Sequence, residues 1–167
     1  MSKVRKHKTF IDDRGSFTPI DLFCGPKSVD KWLQVNISIN PNIHTFRGMH
    51  YQSFETAQNK YIKVIQGKII DFLYDLETKE VEWYKLNNQE AIFVPKTKAH
   101  GFVTLEPNTV VAYLIDNHYS PEHDHSIPWY KIPSVSDVMI DILDDFNDNL
   151  SWGLDSITIS DKDKLGQ

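Results

Sequence analysis

From Gln34 to Ile39 the chain alternates strictly, with Gln34, Asn36 and Ser38 set against Val35, Ile37 and Ile39. Successive side chains of a strand point to opposite faces, so a period of two marks a strand and not a helix. Short runs of the same kind follow at Tyr61 to Gln66, Ile69 to Leu76, Glu82 to Leu86, Ala91 to Val94, Phe102 to Leu105 and Thr109 to Ile115. The first two of these are joined at Gly67-Lys68, which reads as a hairpin turn. With no helical segment between the runs, the pattern predicts an all-β, antiparallel sandwich or barrel. One segment departs from it. Val135, Val138, Met139, Ile142, Leu143 and Phe146 recur at helical spacing after Pro133 and a cap at Ser134 or Ser136. Asp137, Asp141, Asp144 and Asp145 occupy its other face. The spacing predicts an amphipathic helix over about 135–146, packed outside the barrel with its acidic face in water.

A chain of 167 residues can bury a real core, and one domain spanning 1–167 is expected. No apolar run approaches the length of about 18 residues that would cross a membrane. The opening MSKVRKHKTFIDDRG has basic residues with no apolar stretch after them, so no signal peptide is expected. Cys24 stands alone and cannot form an intramolecular disulfide, which suits a reducing cytoplasm. The net charge of −5 argues against a general nucleic-acid binder. A small anionic ligand needs only a local positive cluster. Of the 18 Lys and Arg only Arg5, Arg14 and Arg47 are Arg, and in so Lys-biased a chain an Arg points to a planar fork, for instance on phosphate.

Reactive side chains gather in four places: Phe46-Arg47-Gly48-Met49-His50-Tyr51-Gln52, Lys60, Ala99-His100-Gly101-Phe102, and Tyr113 through Asn117-His118-Tyr119-Ser120-Pro121. Alternate residues of several barrel strands can converge in one mouth. Taken singly, each has a plain explanation. His50 would be a hydrogen-bonded structural residue, Lys60 a solvent-facing strand lysine, and Tyr113 a core tyrosine with its hydroxyl satisfied. His44, His118, His123 and His125 would each lie at the surface.

The combination resembles the dTDP-4-dehydrorhamnose 3,5-epimerase family, the RmlC-type cupins. The strings that carry the resemblance are Asp13-Arg14-Gly15, Gln34-Val35-Asn36, Arg47-Gly48-Met49-His50-Tyr51-Gln52, Ala57-Gln58-Asn59-Lys60, Ala99-His100-Gly101-Phe102 and Asn117-His118-Tyr119-Ser120-Pro121. Ser160-Asp161-Lys162-Asp163 adds a shorter match near the C-terminus. The resemblance implies a jelly-roll cupin barrel with a few peripheral helices, and a homodimer with strand exchange between subunits. It also implies a nucleotide-linked 4-keto-6-deoxy sugar as substrate and no cofactor. A 4-keto group acidifies the hydrogens on C3 and C5, so epimerisation needs a base, an acid across the ring and a positive group at the ketone oxygen. By resemblance His50 is the base, Asp163 its carboxylate partner, Lys60 the enolate-stabilising cation and Tyr113 the acid. Arg47, His100 and Tyr119 line the pocket. Arg14, Phe17, Gln34, Asn36 and His118 fall at or near positions that hold the nucleotide, so the polar set of 34–39 is expected to face the cavity.

Many cupins bind a metal through two His one residue apart. Gln52 stands where the second would be, and His50, Gln52 and His100 make a poor set for zinc or iron, so no metal is expected. Thr18-Pro19 stands where the family carries an acidic residue, and His118 where an aromatic would stack on the base. The nucleotide therefore stays open between dTDP and GDP. A 3-only or 5-only epimerase remains the alternative within the enzyme class, and a non-catalytic cupin that binds sugar nucleotides remains the alternative outside it.

Overall fold

A computed structural model of the chain describes residues 4–6, 10–12, 15–17, 32–145 and 157–166. Among them, two five-stranded antiparallel sheets face each other as a jelly roll. The first runs, in spatial order, β1 (Val4–Lys6), β9 (Glu90–Val94), β6 (Lys60–Gln66), β11 (Thr109–Ile115) and β4 (Gln34–Asn40). The second runs β12 (Asp124–Ser126), β5 (Phe46–Gln52), β10 (Lys98–Thr104), β7 (Lys68–Asp75) and β8 (Val81–Asn87). A short ribbon, β2 (Phe10–Asp12) with β3 (Gly15–Phe17), lies between β1 and β4 in the chain.

Gly67 corrects one expectation. β6 and β7 lie in different sheets, so the residue between them turns a corner from one sheet to the other instead of closing a hairpin. Its φ of +82° suits glycine, and a Cβ there would sit 2.3 Å from the Thr109 hydroxyl oxygen. β5 was absent from the runs legible in the sequence, yet it is paired on both sides, with β10 and β12. His44, expected at the surface, is buried. Its backbone bonds Thr104 on one side and Thr158 on the other, which wedges it between β10 and the C-terminal segment.

Ile62, Val64, Ile92, Val94 and Val111 of the first sheet pack on Ile69, Leu73, Leu86 and Phe102 of the second. Each such side chain contributes about 1.5–3 kcal/mol by leaving water. A second cluster covers the outer face of the second sheet, where Phe46, Phe72 and Val103 meet Val135, Met139 and Ile142 of α1 (Pro133–Asp145). The helix therefore lies outside the barrel, starting at a proline whose missing N–H is no loss there. Asp137 and Asp141 are exposed, while Phe146 and the side chains of Leu143, Asp144 and Asp145 lie outside the described residues. Among the described residues no helix is long and apolar enough to cross a membrane.

In β4, Ser38 and Asn40 are buried, whereas Val35, Ile37 and Ile39 are 58%, 68% and 64% exposed. The polar set faces inward and the aliphatic set outward. This inversion turns Gln34 and Asn36 toward the cavity that they line.

Candidate active site

β5 and β10 run side by side with His50 opposite His100. Two glycines permit this approach. A Cβ on Gly48 would lie 2.4 Å from the Gly101 Cα, and one on Gly101 would lie 2.9 Å from the Arg47 carbonyl oxygen. Gly48 also has a φ of +133°, which side chains rarely tolerate. The register shifts between His100 and Phe102, the kind of irregularity that re-aims side chains beside sites. The glycines of the Arg-Gly and His-Gly strings thus bring two histidines to one wall.

That wall bounds a cavity of about 780 Å³, lined among others by Gln34, Asn36, Arg47, His50, Lys60, His100, Tyr113, Tyr119 and Asp163. This volume suits a sizeable small molecule. His50 Nε2 lies 3.0 Å from Asp163 Oδ1, with the imidazole 30% exposed and the carboxylate 6%. Asp163 also accepts from the Gly48 amide at 3.2 Å and from the Ser126 hydroxyl at 3.4 Å. Burial alone would push its carboxyl up, but the hydrogen bond and charge of His50, with the Gly48 and Ser160 contacts, hold it below the usual value. Local structure delivers it there. Thr158 bridges to Thr45, and Ser160 then caps α2 (Asp161–Leu165), its hydroxyl accepting from the Asp163 amide at 3.2 Å. The carboxylate keeps the imidazole proton on Nε2. Nδ1, left with the lone pair, is buried and has no hydrogen-bond partner.

Lys60 heads β6, and its ammonium donates to the His50 carbonyl at 3.3 Å. Burial pushes it down to about 8, against the pull of Asp124 and Asp71. Tyr113 comes from β11 on the facing sheet; burial raises its hydroxyl, with Arg47 pulling the other way, so it stays protonated. His100 Nε2 meets Asp71 Oδ2 at 2.8 Å, and Asp71 is wholly buried with its other oxygen unpartnered. Tyr119 donates to Asp124 Oδ2 at 3.0 Å, and Lys162 ion-pairs with the same oxygen.

The structure therefore brings nine of the expected residues to one cavity, Asp163 among them behind His50. It does not bring His118 there: that side chain is exposed and absent from the lining. Arg14 lies outside the described residues, as does the side chain of Phe17. Asp71, Asp124 and Lys162 were not singled out from the sequence as site residues. Asp71 carried a signal, a lone carboxylate inside Ile69-Ile70-Asp71-Phe72-Leu73, whereas Asp124 between two histidines carried none. Gln52 points its amide at the Thr56 and His118 carbonyls. Among the described residues no three His, Cys, Asp or Glu gather as metal ligands.

A jelly-roll barrel whose cavity joins a His–Asp pair, a buried amine and a protonated tyrosine defines a cupin equipped for proton transfer. The sequence model of dTDP-4-dehydrorhamnose 3,5-epimerase matches residues 3–167, and the chain belongs to that family. The dTDP-4-dehydrorhamnose 3,5-epimerase of Salmonella typhimurium is 32% identical over 139 residues, 75% of this chain and 74% of that one. That of Sinorhizobium fredii is 28% identical over 144 residues, 76% of this chain and 70% of its own. The crystal structure of the Bacillus anthracis enzyme with TDP and PPi bound superposes with a TM-score of 0.74 at 32% identity, covering 98% of this chain and 91% of that one.

Proposed function

We propose that this chain is an isomerase that epimerises a nucleotide-linked 4-keto-6-deoxyhexose, as dTDP-4-dehydrorhamnose 3,5-epimerase does, with dTDP as the nucleotide. The reading is carried by the His50–Asp163 pair at one wall of a cavity whose other walls hold Lys60 and Tyr113. His50 takes a proton from the carbon next to the ketone, with Asp163 beside it to steady the imidazolium that forms. The C–H electrons pass into the enolate, whose oxygen the Lys60 ammonium steadies. Tyr113 returns a proton from the opposite face, and solvent restores both side chains. Arg47 takes the phosphates, while Gln34 and Asn36 contact the nucleoside. A cytoplasmic location for the reaction suits the lone cysteine.

The product's stereochemistry tests this. After incubation with dTDP-4-keto-6-deoxyglucose, borohydride reduction and hydrolysis should release rhamnose and 6-deoxytalose, the sugars expected when both C3 and C5 invert. Quinovose and fucose alone would mean no epimerisation and would favour a cupin that only binds. The 6-deoxy sugars of the allo and gulo series would mean inversion at C3 only.

We also infer a homodimer. The exposed Val35, Ile37 and Ile39 share a face with Val110, Ala112 and Leu114 through the β4–β11 register, on an edge strand. A β-branched stripe on a sheet edge invites association, and a second copy would cover it. Ile37→Asp should halve the mass seen by light scattering. A wild-type protein that runs as a monomer would overturn the dimer.

A further inference from the structure

We infer that Asn40 is a positioning residue for Arg47, locking the guanidinium so that its two terminal nitrogens form a phosphate-binding fork at the cavity wall. The inference rests on the reading of the cavity as a nucleotide-sugar site. Asn40 ends β4 on its inner face and is completely buried. Its Oδ1 accepts from Arg47 Nε at 2.7 Å and from the Ser38 hydroxyl at 3.2 Å. Its Nδ2 donates to the Thr109 carbonyl at 3.1 Å and to the Ser38 carbonyl at 3.4 Å. Both acceptor sites and both donors of the amide are thus in use. Only one orientation of the group allows this. Reversed, the NH2 would face the guanidinium and the oxygen would face two carbonyls.

Arg47 itself is exposed and has a long, mobile stem, yet it lines the cavity beside Gln34 and Asn36. Unheld, such a side chain loses much rotamer freedom when a ligand binds. Asn40 engages only Nε. That fixes the guanidinium plane and leaves both Nη groups for a bidentate contact, the geometry that two oxygens of a phosphate match. The polar residues of β4 continue the same row, with Gln34 Nε2 donating to Asn36 Oδ1 at 2.6 Å. The row expected to face the cavity thus also scaffolds its anion end.

The test is a binding cycle measured by calorimetry with dTDP and with inorganic pyrophosphate, on wild type, Asn40→Leu, Arg47→Gln and the double variant. Asn40→Leu should weaken dTDP about tenfold, the scale of immobilising one rotamer-rich side chain. It should raise KM by a similar factor and leave kcat nearly unchanged. In the Arg47→Gln background it should cost nothing further, because the group it positions is gone. If Asn40→Leu does not fold, Asn40→Ser is too short to reach Arg47 and should show the same loss. Wild-type affinity in Asn40→Leu, or an equal loss with and without Arg47, would overturn the inference while leaving the site's function standing. Failure of the wild type to bind either ligand would instead overturn the nucleotide-sugar reading, and the inference with it.

Discussion

His50→Ala should abolish exchange of substrate hydrogens with solvent at every carbon that is epimerised. General base catalysis contributes about a hundred- to ten-thousandfold, and neither His100 nor Asp163, the other imidazole and the carboxylate nearest His50, is placed to supply it. His100 is committed to the buried Asp71. Asp163 is nearly buried, and its contacts with His50, Gly48 and Ser160 hold its carboxyl below the usual value, which makes it a weak base. The variant should also lose acid stability. A carboxyl with a lowered folded pKa contributes stability above its unfolded value and loses it as pH falls through the folded one. Without His50 the Asp163 carboxyl rises toward the ordinary range, so acid unfolding should begin at higher pH. Deuterium uptake near the wild-type rate would remove His50 from the mechanism.

Lys60→Ala should lower turnover about a hundredfold or more, the scale of losing one donor to a developing oxyanion. Its amine adds a pH signature. Burial pushes Lys60 down to about 8, so above that pH the amine becomes neutral and turnover should fall about tenfold per pH unit. Stability should move the other way. The unfolded lysine keeps its proton to about 10.5, so between the two values the unfolded state binds more protons and the native state gains stability as pH rises. An alkaline limb in activity paired with rising stability over one window is a combination that a surface lysine would not produce. A change in KM with kcat intact would make Lys60 a phosphate contact instead.

Legibility in the sequence followed how local each signal was. Thr109 to Ile115 is an uninterrupted apolar strand, and its expected bounds match the structure. β5 was hidden because Arg47, Gly48 and His50 break the alternation, although that same mixture is what builds the site. Gly67 gives the same local signal for a hairpin as for a corner between sheets, and only pairing with distant strands separates the two. The motif strings led to His50, Lys60, Tyr113 and Asp163. The contacts of Asn40 with Arg47 and of Asp71 with His100 were not legible, because strand pairing and barrel closure decide them. Val35, Ile37 and Ile39 show the same limit: alternation defines two faces, and the fold chooses which one is the inside.

A proton NMR time course in deuterated water with the dTDP-linked 4-keto-6-deoxy sugar tests the proton-transfer mechanism most directly. The C3 and C5 signals should vanish with wild-type protein as an inverted product forms, and should persist with His50→Ala. Undiminished C3 and C5 signals with wild-type protein, or equal loss with His50→Ala, would contradict it.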